Sequence, residues 1–302
     1  MATSCKIRGK PLIIDNILIK ILVATQFPQW KNLPIKPVAN SGWDNRTFLL
    51  GEHMLIRMPS AAEYTEQVKK EQQWLPRLAS LLPLPIPEPL AMGEPAYGYP
   101  WHWSIYRWIE GDSAASAQII DLYDFASSLA QFLNTLQSID PTERPSPDLQ
   151  NFYRGGLLVV YDPEVRQALT ILKDKIDTYA ATKLWEAALA TTWSKPPVWV
   201  HGDISAGNLL VKDGHLSAVI DFGQLAVGDP ACDLVIAWTL FKGKSRKIFR
   251  GNLQLDPDTW TRAGAWGLWK ALIVAAGLTN PNNAEAKQCW RIIDEVLIDS
   301  RR

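Results

Sequence analysis

The string His201-Gly202-Asp203-Ile204-Ser205-Ala206-Gly207-Asn208 and the later Ile220-Asp221-Phe222-Gly223 hold the residue types that phosphoryl transfer from a nucleoside triphosphate requires. That reaction asks for little covalent chemistry: it needs positioning, magnesium to offset phosphate charge, and a group that accepts the hydroxyl proton. Asp203 is suited to take the proton. Asn208, five residues on across a loop, offers an amide oxygen to a metal, and Asp221 supplies the hard carboxylate that magnesium prefers. Gly202 and Gly207 permit tight backbone geometry between them. The same residue types also favour turns at strand ends, but two motifs at this spacing fit the phosphoryl-transfer template better.

Those residues need elements to bring them together. Val198 to Val200, Leu209 to Val211 and Leu216 to Ile220 read as short strands, and Asp213-Gly214 is a hairpin turn between the last two. The hairpin folds the two motifs onto each other and gathers Asp203, Asn208 and Asp221 around one point. Upstream, Ile35 to Ser41, Arg46 to Leu50 and His53 to Met58 read as strands separated by Gly42-Trp43-Asp44-Asn45 and Gly51-Glu52. Helical spacing of Val68, Trp74, Leu75, Leu78 and Leu82 predicts a helix over Glu63 to Leu82, ended by the proline-rich stretch Pro83 to Pro89. Trp101 to Ile109 reads as a buried strand. Helices follow over Gln118 to Ile139, one or two within Asp162 to Trp193, and then Ala231 to Phe241, Asp258 to Leu278 and Ala284 to Ser300.

The strings HGDISAGNLLV and VIDFGQLAVGDPACDL resemble the signatures of the aminoglycoside phosphotransferase family, distant relatives of protein kinases, and the likeness runs from about Asn40 to about Trp238. The resemblance implies an α+β, bilobal protein-kinase-like fold. A small β-rich N-lobe with one main helix (1–110) would be followed by a larger, mostly helical C-lobe (111–302). It also implies Asp203 as catalytic base, Asn208 and Asp221 as magnesium ligands, His201 as the residue that orients the loop, and Asp229 as a buttress of the loop or a wall of the acceptor site. In the N-lobe it implies backbone cover of the triphosphate at Ser41-Gly42, a phosphate-gripping cation at Arg57 in place of the usual lysine, and Glu71 as the partner of that cation. Glu63 and Glu66 are alternatives to Glu71. Backbone groups of Arg107 and Ile109, in the segment resembling the interlobe hinge, would bind the purine edge. ATP or GTP is the implied co-substrate and Mg2+ the implied cofactor.

Composition sets the outer limits. The chain has 302 residues, 47% apolar and 21% charged, with a formal net charge of zero. Bulk charge therefore gives no case for nucleic acid or an anionic membrane surface. Cys5, Cys232 and Cys289 lack metal or disulfide spacing and fit a reducing compartment. Pro11 to Ala24 is apolar but carries Asp15, Asn16 and Lys20; it reads as an amphipathic helix rather than a membrane span, and the expected location is the cytoplasm. Only a few residues separate Asp221-Phe222-Gly223 from Gly228-Asp229-Pro230, and there is no Ala-Pro-Glu motif. A protein kinase is accordingly disfavoured, and the intact Asp203, Asn208 and Asp221 argue against a non-catalytic nucleotide binder. The acceptor is expected to be a small molecule: an aminoglycoside or related antibiotic, which would imply a resistance role and need an acidic pocket, or else an endogenous metabolite. Asp256, Asp258, Glu285, Asp294, Glu295 and Asp299 are the acids on offer. Trp260, Trp266 and Trp269 are expected to pack helices, with stacking on an acceptor ring as the alternative.

Overall fold

A computed structural model of the chain describes residues 13–38, 44–141, 145–279, 281 and 283–301. It divides into two compact units: Met1–Pro76 with Pro87–Ile109, and Arg77–Ile86 with Glu110–Arg302. The break after Ile109 lies one residue from the expected boundary. Arg77–Ile86, expected with the first unit, groups with the second instead. One physical reason is the Pro85 carbonyl, which accepts the Val219 N–H at 3.1 Å.

The first unit contains α1 (Asn16–Gln26), β1 (Ile35–Pro37), β2 (Asn45–Leu50), β3 (Met54–Pro59), α2 (Thr65–Ala79, up to Pro76), β4 (Pro89–Gly93) and β5 (Trp103–Arg107). The strands form one antiparallel sheet in the order β1-β2-β3-β5-β4. Alternation along β2 and β3 turns Phe48, Leu50, Ile56 and Met58 inward, where they pack with Trp103 and Ile105 of β5. Helix α1 begins later than the expected Pro11, because Asp15 is its N-cap and accepts the Ile17 and Leu18 N–H groups. Its Ile19, Leu22 and Val23, at helical spacing, join the same core. Strand β4 was not anticipated. Prolines exclude a helix there but tolerate an edge strand, and Pro89 is the first residue of one.

The second unit contains β6 (Asp112–Ser113), α3 (Leu122–Ser138), α4 (Asp162–Ile171), α5 (Thr178–Leu189), β7 (Val198–Val200), β8 (Leu209–Lys212), β9 (His215–Val219), β10 (Ala226–Gly228), α6 (Ile236–Thr239), α7 (Gly243–Asn252), α8 (Pro257–Ala275) and α9 (Asn283–Asp299). Two small antiparallel sheets, β6-β8-β9 and β10-β7, carry the motif loops. The β8–β9 turn has positive φ at both Asp213 (52°) and Gly214 (80°), the conformation of a type I′ hairpin. Helix α7 escaped the sequence reading because its Gly-Lys-Ser-Arg-Lys start has no apolar period. It is held by polar burial instead: the Arg246 guanidinium donates to the Ala237 and Phe241 carbonyls at 2.7 and 3.2 Å and pairs with Glu295.

Helix α8 is buried over most of its length. Its Arg262 donates to Asp229 (Nε to Oδ2, 2.6 Å), to Thr191 Oγ1 (3.1 Å) and to Thr259 Oγ1 (3.1 Å). Asp229 in turn caps the short turn Pro230–Leu234 through the Ala231 N–H. Among the described residues no helix is long and apolar enough to cross a membrane. Arg262→Ala leaves the buried Asp229 carboxylate without its cation and is expected to cost about 3–5 kcal/mol of unfolding free energy, measured by urea denaturation. A loss under about 1 kcal/mol, the scale of a surface pair, would contradict this reading of the pair.

Candidate active site

The loop after β7 is built around a buried carboxylate. Asp233, fully buried, accepts the N–H groups of His201 (Oδ2, 2.7 Å) and Gly202 (Oδ1, 2.7 Å). Gly202 has φ +87°, and an added Cβ there would stand 2.5 Å from the Gln224 carbonyl oxygen, so only glycine fits. His201 is also fully buried. Its Nδ1 accepts the Asp203 N–H at 3.1 Å, which assigns the ring proton to Nε2, and Nε2 donates to the Ile220 carbonyl at 3.0 Å. The ring therefore ties the first motif to the second, and it packs against Phe222 with centroids 4.4 Å apart. Burial pushes the His201 pKa down, against the fields of Asp233 and Asp221, so the ring is neutral.

Asn208 completes the link. Its Nδ2 donates to the Asp203 carbonyl (2.9 Å) and to Asp203 Oδ2 (2.8 Å), while its own carbonyl accepts the Ile220 N–H at 2.9 Å. Because the amide nitrogen faces Asp203, Oδ1 is the atom Asn208 has left for a ligand. Asp221 follows Ile220 directly, with φ +67°, a left-handed conformation that aspartate tolerates better than most residues. Burial pushes the Asp203 carboxyl up. Arg154, the Asn208 amide and Lys270 pull against that rise, and Asp221 adds to it. Strand β6 pins the loop from outside: Ser113 Oγ donates to the Ala206 carbonyl at 3.1 Å.

In the first unit, Arg57 on β3 donates through Nη1 to Glu71 Oε1 at 3.1 Å, and Nη2 lies 3.6 Å from Asp44 Oδ2. Glu71 is 2% exposed and also accepts the Tyr106 hydroxyl. Glu71 is thus the partner of Arg57, whereas Glu66 pairs with Lys69 and Glu63 neighbours Tyr64.

Ser41 and Gly42 lie outside the described residues. Two of the expected positions are already engaged within the protein. The Arg107 N–H already donates to the Glu88 carbonyl at 2.9 Å, and its side chain pairs with Glu88 at 2.6 Å, because strand β5 continues through it. Ile109, beyond the strand, has no backbone hydrogen bond among the described residues. Asp229, expected as a buttress of the loop or a wall of the acceptor site, is engaged by Arg262 and by its own cap; the buried carboxylate that holds the backbone at His201 and Gly202 is Asp233. Asp233 was legible only as the second acid of the Gly-Asp-Pro-Ala-Cys-Asp string. Tyr106, Asp44, Ser113, Arg154 and Gln224 gave no signal of their own.

No group of three His, Cys, Asp or Glu side chains with metal-site geometry occurs among the described residues. An amide oxygen plus one carboxylate is still a donor set suited to magnesium, which retains water and takes phosphate oxygens for its other positions.

A family model described as APH, phosphotransferase enzyme family, matches residues 35–266. The chain is 24% identical over 220 residues to the uncharacterized protein YcbJ of Bacillus subtilis (strain 168), a match spanning 64% of this chain and 65% of that one, less than two thirds of the relative's length. Among solved structures it resembles a GDP complex of a mutant aminoglycoside 2′-phosphotransferase-IIIa (TM-score 0.73, 19% identity, 95% of this chain and 99% of that one). It also resembles the GDP and kanamycin complex of APH(2″)-IIIa (0.69, 18%, 94% and 99%). A third likeness is to the macrolide 2′-phosphotransferase MphH of Brachybacterium faecium as apoenzyme (0.61, 17%, 92% and 97%). At these identities the likenesses establish the kinase-like α+β fold.

A neutral buried His201 carries a pH consequence. A histidine whose folded pKa is depressed contributes stability that is present above the unfolded value of about 6.5 and is lost as pH falls below it. Unfolding free energy measured between pH 7 and 5 should decline with acid, and His201→Gln should reduce that slope by up to about 1.4 kcal/mol per pH unit, one proton's worth. Identical slopes in the two proteins would refute the neutral ring. Separately, Glu71→Ala removes the buried carboxylate that Arg57 and the Tyr106 hydroxyl share and should cost about 3–5 kcal/mol by urea denaturation, against under about 1 kcal/mol if the pair is not structural.

Proposed function

We propose that this chain, which belongs to the APH phosphotransferase enzyme family, transfers the γ-phosphoryl group of ATP or GTP to a hydroxyl of a small molecule. The observation that carries the reading is the bonded path Asp203–Asn208–Ile220, which brings the carboxylate of the first motif, an amide oxygen and the backbone before Asp221 into one loop assembly. Asp203 receives the acceptor proton. Its elevated pKa makes it a better base than an exposed aspartate. Asn208 Oδ1 and the Asp221 carboxylate would hold Mg2+. Held there, the ion would supply positive charge to offset that of the phosphates.

Arg57, steadied by Glu71, binds the α- and β-phosphates. Arginine suits this because a planar, always-charged guanidinium matches phosphate geometry. The backbone of Ile109 addresses the purine edge. His201 orients the loop without reacting, which its neutral, doubly bonded ring supports. A soluble, cytoplasmic enzyme fits the family. The choice between antibiotic and metabolite falls to the acceptor site.

Asp203→Asn keeps the bond from Asn208 but removes the base. Phosphoryl transfer, followed as labelled acceptor and nucleoside diphosphate release, should fall about 10²–10⁴-fold while nucleotide affinity is retained. Turnover within about threefold of the parent would refute the base assignment.

A further inference from the structure

We propose that the acceptor is an anionic small molecule, a hydroxyl-bearing ring or apolar body with a carboxylate or phosphate, held by Arg154 over Trp266 and Trp269 next to the Asp203 loop. This rests on the phosphotransferase reading above and narrows it.

Arg154 is anchored to that loop. Its Nε donates to Gln224 Oε1 at 2.8 Å, and Gln224 is the residue packed hard against Gly202. The guanidinium lies 5.0 Å from the Trp266 ring centroid and 5.5 Å from that of Trp269. Tyr161 stacks on Trp269 at 3.8 Å and meets Trp266 edge-on at 5.5 Å. An arginine fixed through Nε and by two rings loses little freedom when its terminal nitrogens bind an oxyanion, and those nitrogens donate to no group among the described residues. Trp266 is 2% exposed, and its Nε1–H has no hydrogen-bond partner among the described residues, leaving a desolvated donor in the same cluster.

Arg154 brings a positive charge to this cluster. The fields of Arg154 and Lys270 both reach Asp203. Glu164 is the acid in contact with the rings, and it accepts Trp269 Nε1–H at 2.8 Å. Of the acids on offer for an acidic pocket, those whose side chains are described are engaged elsewhere or exposed. Asp256 caps α8 through Thr259, and Glu295 and Asp299 pair with Arg246. Asp258 and Asp294 are exposed.

The test uses the full chain and four probes on one ring frame: glucuronate, glucose 6-phosphate, glucose and glucosamine, titrated by tryptophan fluorescence with nucleotide and magnesium present. Glucuronate or glucose 6-phosphate should bind at least about tenfold tighter than glucose, the scale of one charge-assisted hydrogen bond, and glucosamine weaker than glucose. Which anion wins distinguishes a carboxylate from a phosphate acceptor. Arg154→Gln should abolish the preference while shifting glucose affinity less than about threefold; if that variant does not fold, the probe series on the parent protein decides alone. Equal binding of all four, no binding of the anions, or a preference for glucosamine overturns the proposal. So does an anion preference that survives in a folded Arg154→Gln. Nucleoside diphosphate release from the same preparation separates the two claims: turnover without anion preference overturns only the acceptor class. Anion binding without any turnover overturns the phosphotransferase reading, and the acceptor assignment with it.

Discussion

The Asp233 carboxylate, buried and bonded to two successive backbone N–H groups, is the constraint on which the site depends. It fixes the chain direction at His201 and Gly202, where a left-handed glycine presses against Gln224 and no side chain fits. From that fixed point the His201 ring reaches the Asp203 N–H on one side and the Ile220 carbonyl on the other. Asn208 then locks onto Asp203 with its nitrogen. Burying such a carboxylate is costly, and its pKa is pushed up by burial despite the donors. A protein keeps that kind of group where the geometry it enforces is needed.

The first unit repeats the logic with one charge more. Glu71 is buried because Arg57 and the Tyr106 hydroxyl both satisfy it, and the three residues join β3, α2 and β5. Arginine in place of lysine follows from this arrangement. A lysine would present a single point charge to Glu71, whereas the fork of Arg57 reaches Asp44 as well.

Much of this could be read from the residue string. The Asp213-Gly214 turn, the strands on either side of it and the roles open to Asp203, Asn208 and Asp221 follow from turn chemistry and spacing, which are local. The Arg57–Glu71 partnership was legible from strand and helix order together with family resemblance. What escaped depends on long-range placement. Asp233 lies 31 residues from Gly202 and looks like any acid in a turn. Arg154 gains meaning only from Gln224, 70 residues away, and from the rings of α8. Helix α7 has no apolar stripe because it buries Arg246 in place of leucines, and β4 is hidden by its prolines. Composition counted the C-terminal acids but could not show the arginines that hold Glu295 and Asp299.

Manganese binding to the protein–nucleotide complex, followed by electron paramagnetic resonance, bears most directly on the division of labour within this loop. The account predicts that Asn208→Ala and Asp221→Ala each weaken manganese binding at least about tenfold, as loss of a metal's ligand or of its support does, whereas Asp203→Ala leaves the metal bound. Undiminished binding in Asp221→Ala, or loss of the metal on removing Asp203, would contradict it.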